Sequence, residues 1–235
     1  ELFVPDSGWG MSQEQWDKLG ERLGLNEPLW KQYTTWIGRT LRGDLGISLA
    51  RDRAVVDLIK GKIGATIQLA IGGWIFAVLL GVPMGVLAAV KRGTFWDYFA
   101  RSLAIVGQAA PPFVTALVAI WIFAVILGWF PAGGRSPEFN WKEYVLPCVA
   151  LGWGAAAALM RLTRSSMLEV LDSEYIRLAR AKGVGWNWVI YKHALRNALI
   201  APVTSALLVF SGWLNGALVV EIVFAWPGIG YDALY

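Results

Sequence analysis

The stretch that decides the fold is GATIQLAIGGWIFAVLLGVPMGVLAAV, residues 64–90, in which no charged side chain interrupts the apolar run. An α-helix rises about 1.5 Å per residue, and about 20 apolar residues cross the hydrocarbon of a bilayer, so this run is long enough to span one. The whole chain agrees. Of 235 residues, 56% are apolar and 16% charged, and 14 are Trp, which shifts the balance away from soluble domains. A soluble protein of this length could bury a large core, so the arrangement in long uninterrupted runs decides the matter rather than the composition. The formal charge of +4 is modest and its basic residues sit between apolar runs, which argues against a nucleic-acid partner.

Outward from this stretch the pattern repeats. Residues 102–130 are uncharged but carry Gln108 and Pro111-Pro112, so this span must be broken or kinked. Residues 144–160 are rich in Gly and Ala, as expected where helices approach closely in lipid. Residues 198–220 form a fourth span with Pro202 and Asn215, ended by Glu221, which reads as an interfacial charge rather than a gate. Before the first visible span, residues 1–60 mix acidic and basic side chains and read as water-facing. There Ser12–Leu23 and Leu29–Leu41 are expected helices, Gly43–Gly46 a turn, and residues 51–62 an amphipathic approach to the membrane. The fold class is therefore all-α: a polytopic helical bundle with an N-terminal insert at 1–60 and a transmembrane domain at 61–235.

Basic residues are retained on the cytoplasmic side of short loops. Lys91, Arg92 and Arg101 lie between the first two spans, and Arg161, Arg164, Arg177, Arg180, Lys182, Lys192 and Arg196 between the last two. Only Arg135 and Lys142 lie in the intervening loop. Residues 91–101 and 161–197 are thus expected to be cytoplasmic, and 1–60 and 129–143 external. An external start without a signal peptide implies a further span before Glu1, and parity implies one after Tyr235.

The stretch 161–197 is far longer than a connection needs. Leu168, Leu171, Tyr175, Leu178 and Ala179 recur at helical spacing, Gly183-Val184-Gly185 stops that helix, and a second helix from Trp186 enters the last span. Such a helix–turn–helix knob suits docking in a partner's groove, although a basic loop that only sets topology has the same charges.

The wording of the knob is more specific than its periodicity. EYIRLARAKG at 174–183, followed by HALRNAL at 193–199, resembles the EAA loop of ABC importer permeases of the dipeptide/oligopeptide/nickel subfamily. Ala179, Gly183 and Leu195 coincide with the general pattern, and the rest follows the peptide-subfamily form. The external segment with GDLGIS at 43–48, the GVPMGVLAA run at 81–89 and VEIVFAWPGIG at 220–230 are similar to the same subfamily. The resemblance implies six spans in the type I importer arrangement, a multi-pass inner-membrane location and no cofactor. It also implies a second homologous permease subunit, two ATP-binding subunits and an external substrate-binding protein as partners. Glu174, Arg177, Ala179, Arg180, Lys182 and Gly183 are then the expected ATPase-coupling residues. The cargo it implies is peptides or related small solutes.

Other chemistry finds little support in the residues. No Gly-x-x-x-x-Gly-Lys-Ser/Thr phosphate loop occurs, so no ATP site of its own is expected and the chain reads as a transport subunit rather than an enzyme. With one histidine, His193, neither a metal site nor a catalytic set is expected. Cys148, the single cysteine, reads as a packing residue. Polar side chains at membrane depth face inward because lipid cannot satisfy them; Gln108, Thr115, Ser211 and Asn215 are the candidate pathway residues, with Gln68, Thr204 and Ser205 beside them. The rival reading, a secondary transporter or channel-like membrane protein, would need no docking knob.

Overall fold

The computed structural model describes Gly20, Gly24, Arg51 and residues 26–48, 53–214 and 217–232 of the chain. The expected helix at Ser12–Leu23 and the candidate Asn215 lie outside the described residues. The chain divides into two compact units, 1–61 and 62–235.

In the first unit, helix α1 spans Leu29–Leu41 after Pro28, as its sequence pattern predicts. Gly43 and Gly46 both take positive φ, after which the two-residue strands β1 (Ile47–Ser48) and β2 (Arg53–Ala54) pair antiparallel. The expected amphipathic approach at 51–62 is not a separate element. Its second half is the first turns of helix α2, Val55–Val90, because Asp57 in the first turn complements the helix dipole, Lys60 and Lys62 are good helix residues in water, and no proline stops the helix there.

In the second unit α2 continues and packs along α5, Trp141–Leu171. Their backbones touch: a Cβ at Gly81 would stand 2.6 Å from the Ala156 carbonyl oxygen, and one at Gly85 2.6 Å from that of Met160. In lipid, helices gain no hydrophobic drive toward each other, so close packing through small residues holds them together. Ile71, Ile75 and Leu79, on another face of α2, stay exposed. That suits a lipid-facing surface.

The expected single span at 102–130 is two helices. Helix α3 is Phe95–Ala109; helix α4 is Pro112–Ala119 and runs on as a π-helical stretch, Ile120–Ile126. They meet at 106°, because Ala110 and Pro111 each precede a proline and are driven to extended ψ angles of 122° and 147°. The third span also outruns its expected limits at 144–160. Helix α5 passes through Arg161 and Arg164 to Leu171, so the separate knob begins only at residue 172.

Beyond it come α6 (Glu174–Ala181), α7 (Trp186–Trp188), a π-helical stretch (Val189–Ala194) and α8 (Leu195–Ala198). The expected fourth span at 198–220 is helix α9, Ile200–Leu214, entered from Trp186–Ala198 at a 48° bend; a separate short helix α10, Leu218–Val223, and α11, Ile229–Asp232, follow. By length and composition α2 and α5 each suffice to cross a membrane, and each bent pair can supply one more crossing.

Candidate coupling site

Helix α6 is closed by a double hydrogen bond. The Gly183 N–H donates to the Arg180 carbonyl at 2.9 Å and the Val184 N–H to that of Ala179 at 3.2 Å, with Gly183 at φ +78°. This is the Schellman pattern, and its left-handed position is the reason for glycine there. Ile176, with no exposed surface, seats the helix against Met167 near the end of α5, Ala89 near the end of α2, and Val189, Ile190 and Ala194 beyond the turn. The stripe read from sequence therefore has the wrong centre. Tyr175 and Leu178 lie exposed on the outer face, the Tyr175 hydroxyl accepting from the Asn197 side-chain amide at 2.9 Å, because one buried Ile anchors so short a helix.

The candidate coupling residues share this knob. Arg177 reaches back to Glu174 at 2.7 Å in an exposed ion pair. Arg180 lies 4.1 Å above the Trp186 ring. Ala179 is half-buried, Lys182 exposed. Around them Tyr175, Leu178, Trp186, Trp188 and Tyr191 form an exposed, largely aromatic surface. A surface of aromatic and Arg side chains has the make-up of protein–protein contacts.

A second joint holds the same end of the bundle. Arg164 donates to both carboxylate oxygens of buried Asp97, at 2.7 and 3.0 Å, and Arg101 stands 3.4 Å from one of them. Arg164, which the sequence suggests only for topology, thus clamps the start of α3 to α5, while Arg101 pairs with Asp97 within α3.

This geometry, a knob seated on the ends of two long apolar helices, accords with the family whose description is binding-protein-dependent transport system inner membrane component, which matches residues 81–234. The chain belongs to that family. It is an inner-membrane, multi-pass permease subunit of an ABC importer. It is 44% identical to a dipeptide transport system permease protein of Alkalihalophilus pseudofirmus, across 90% of this chain and 71% of that one. Identity is 42% to a putative peptide permease of Brucella suis (94% and 72% covered) and 40% to a glutathione transport system permease protein of Escherichia coli K12 (89% and 68%). Among solved structures, the methionine ABC transporter MetNI in an inward-facing conformation superimposes with a TM-score of 0.61 at 21% identity, across 75% of this chain and 78% of that one; this likeness shows the fold.

The permease's candidate pathway residues are scattered. Thr115 is half-buried and lines a cavity of about 300 Å³ at the proline break, with Ala110, Ala150, Gly154, Val209 and Trp213 among its walls. Gln108 and Ser211 are exposed, and neither lines this cavity. Gln68 accepts from Arg135 at 2.9 Å and from the Tyr144 hydroxyl at 3.0 Å; Thr204 bonds the Ile200 carbonyl of its own helix.

At the end opposite the knob the sequence reading missed a joint. Glu221, expected at an interface, has no exposed surface. Its carboxylate accepts from the Thr66 hydroxyl at 2.7 Å and the Tyr231 N–H at 3.0 Å, while Thr66 accepts from the Ile229 N–H at 2.9 Å. A Cβ at Gly228 would collide with this carboxyl. Trp226 is fully buried; its indole N–H donates to the Ala65 carbonyl at 2.9 Å and its ring meets Tyr144 edge-on at 4.8 Å. Glu221 and the 220–230 stretch stand out in the sequence, but their partner Thr66 is one Thr inside an apolar run, too common to read.

Proposed function

We propose that this chain forms one half of the translocation pathway of an ATP-driven importer of peptides or related small solutes, with the Glu174–Gly183 knob seated in an ATP-hydrolysing partner subunit. The observation that carries the reading is the seating of Ile176 on Met167 and Ala89. A force applied to α6 is thereby passed through packed side chains to the ends of α5 and α2. Docking uses the outer face, where Leu178 and Tyr175 supply apolar area and Lys182 an exposed charge, while Arg177 and Arg180 are already engaged within the knob. The pathway takes a route past Thr115 and the proline break, and a second permease subunit supplies the other wall. Residues 1–60 and 129–143 face outward, where a substrate-binding protein delivers cargo, and the knob faces the cytoplasm. The peptide class is supported by the dipeptide and peptide permeases among its relatives, and glutathione is itself a small peptide.

The test is to copurify the chain with ATPase subunits and reconstitute it with its binding protein. Dipeptides or glutathione should raise ATP turnover and appear inside the vesicles. Transport that runs on an ion gradient with no ATPase bound would defeat the proposal.

A further inference from the structure

We infer that Glu221 and Thr66 form a reversible gate at the outer mouth of the pathway, holding that end shut at rest and parting during transport; this rests on the importer reading above. Among the described residues, the donors that reach the Glu221 carboxylate, the Thr66 hydroxyl and the Tyr231 N–H, are both neutral. For permanent closure this is a poor choice, because apolar side chains of similar volume often hold a buried site as well as buried charge does or better. For an openable contact it is a good one. When the segment lifts, the carboxylate, the hydroxyl and the two N–H groups exchange their bonds for equivalent ones to water, so open and closed states stay close in free energy.

The same segment carries the plug. The Trp226 backbone N–H bonds the Glu221 carbonyl at 2.7 Å, and the indole caps the Ala65 carbonyl, so release of the carboxylate withdraws the ring. The turn between them is strained in the closed form: Ala225 sits at φ +47°, a left-handed conformation that residues with a side chain disfavour. Gly228 and Gly230 let the chain wrap the carboxylate closely, since a Cβ at Gly230 would stand 2.9 Å from Oε2. Anchorage on the other side comes from Gly134, whose N–H bonds the Phe224 carbonyl at 2.7 Å.

The probe is Ala65→Cys in a Cys148→Ala chain, assembled with its ATPase subunits in proteoliposomes and treated from outside with a membrane-impermeant maleimide. Ala65 is buried beside the joint, so labelling at rest should be slow, and turnover with ATP and substrate should raise its rate at least tenfold. Adding Thr66→Val should bring fast labelling at rest and lower transport per ATP at least fivefold, and Thr66→Ser should restore both. Glu221→Gln, which replaces one acceptor oxygen by an amide nitrogen, carries the same readouts if Thr66→Val does not assemble. Slow labelling that turnover never accelerates, or Thr66→Val with parental shielding, overturns the gate. Absence of any substrate-stimulated ATPase activity in the unmutated assembly fails the importer reading instead, and the resting comparison of Thr66→Val with its parent still tests the joint.

Discussion

Asp97 and Arg164, 67 positions apart, meet in a two-point ion pair at 2.7 and 3.0 Å, with the Asp97 side chain 2% exposed and that of Arg164 20%. The pair fixes the first turn of α3 to the part of α5 that leads into the knob. Taking away one partner leaves a buried charge, which typically costs about 3–5 kcal/mol. Arg101, 3.4 Å away, remains as partial compensation, so Arg164→Met is expected near the low end, about 3 kcal/mol. The double change Asp97→Asn with Arg164→Met should recover most of that loss. Thermal denaturation of the purified chain in one detergent checks both, and equal loss in the single and double variants would contradict the assignment.

Gly81 tests the α2–α5 contact in the same assay. A Cβ there meets the Ala156 oxygen at 2.6 Å and the Leu159 Cβ at 2.9 Å, so Gly81→Ala must push two helices apart, an overpacking cost of about 1–3 kcal/mol. Leu79→Ala, at a position 70% exposed on α2, should change stability little in detergent. Equal effects of the two would mean that α2 and α5 do not pack in this register.

How far the sequence carried the fold depended on which solvent enforced the pattern. Residues 64–90 were legible because lipid tolerates no charge, yet the helix start at Val55 was not, since water-exposed turns need no apolar stripe. Gly183 was legible because a helix stop of this kind demands a left-handed residue. Ile176 was not, because Tyr175 and Leu178 make an equally regular stripe and only the neighbouring helices decide which side is covered. Thr66 with Glu221, and Asp97 with Arg164, are pairings across 155 and 67 positions that no local spacing encodes.

Topology gives a prediction independent of partners. Asp172→Cys, at the exposed junction of α5 and the knob, should resist an impermeant thiol reagent in intact cells and react after permeabilisation, in a Cys148→Ala background. Glu138→Cys, at an exposed position in the loop before α5, should react in both. Reversal of the two patterns would invert the chain in the membrane and remove the knob from the ATPase side.

The knob itself makes the most direct prediction for coupling, and the geometry ranks two substitutions. Gly183→Val places a β-branched residue at φ +78°, where it cannot keep both closing hydrogen bonds, so the path from α6 to Val184 must change. Copurified ATPase and substrate-stimulated turnover should fall at least tenfold, while the membrane level stays near that of the parent, because no other atom lies within 4 Å of the added Cβ and the long helices are untouched. Arg180→Glu removes a cation held over the Trp186 ring, a contact of about 0.5–1 kcal/mol at an exposed site, so the loss should be a few-fold. The order is what discriminates. If Gly183→Val keeps full ATPase association while Arg180→Glu loses it, docking depends on charge at the end of α6 rather than on the shape of the closed turn. If both keep it, the partner binds elsewhere on the chain.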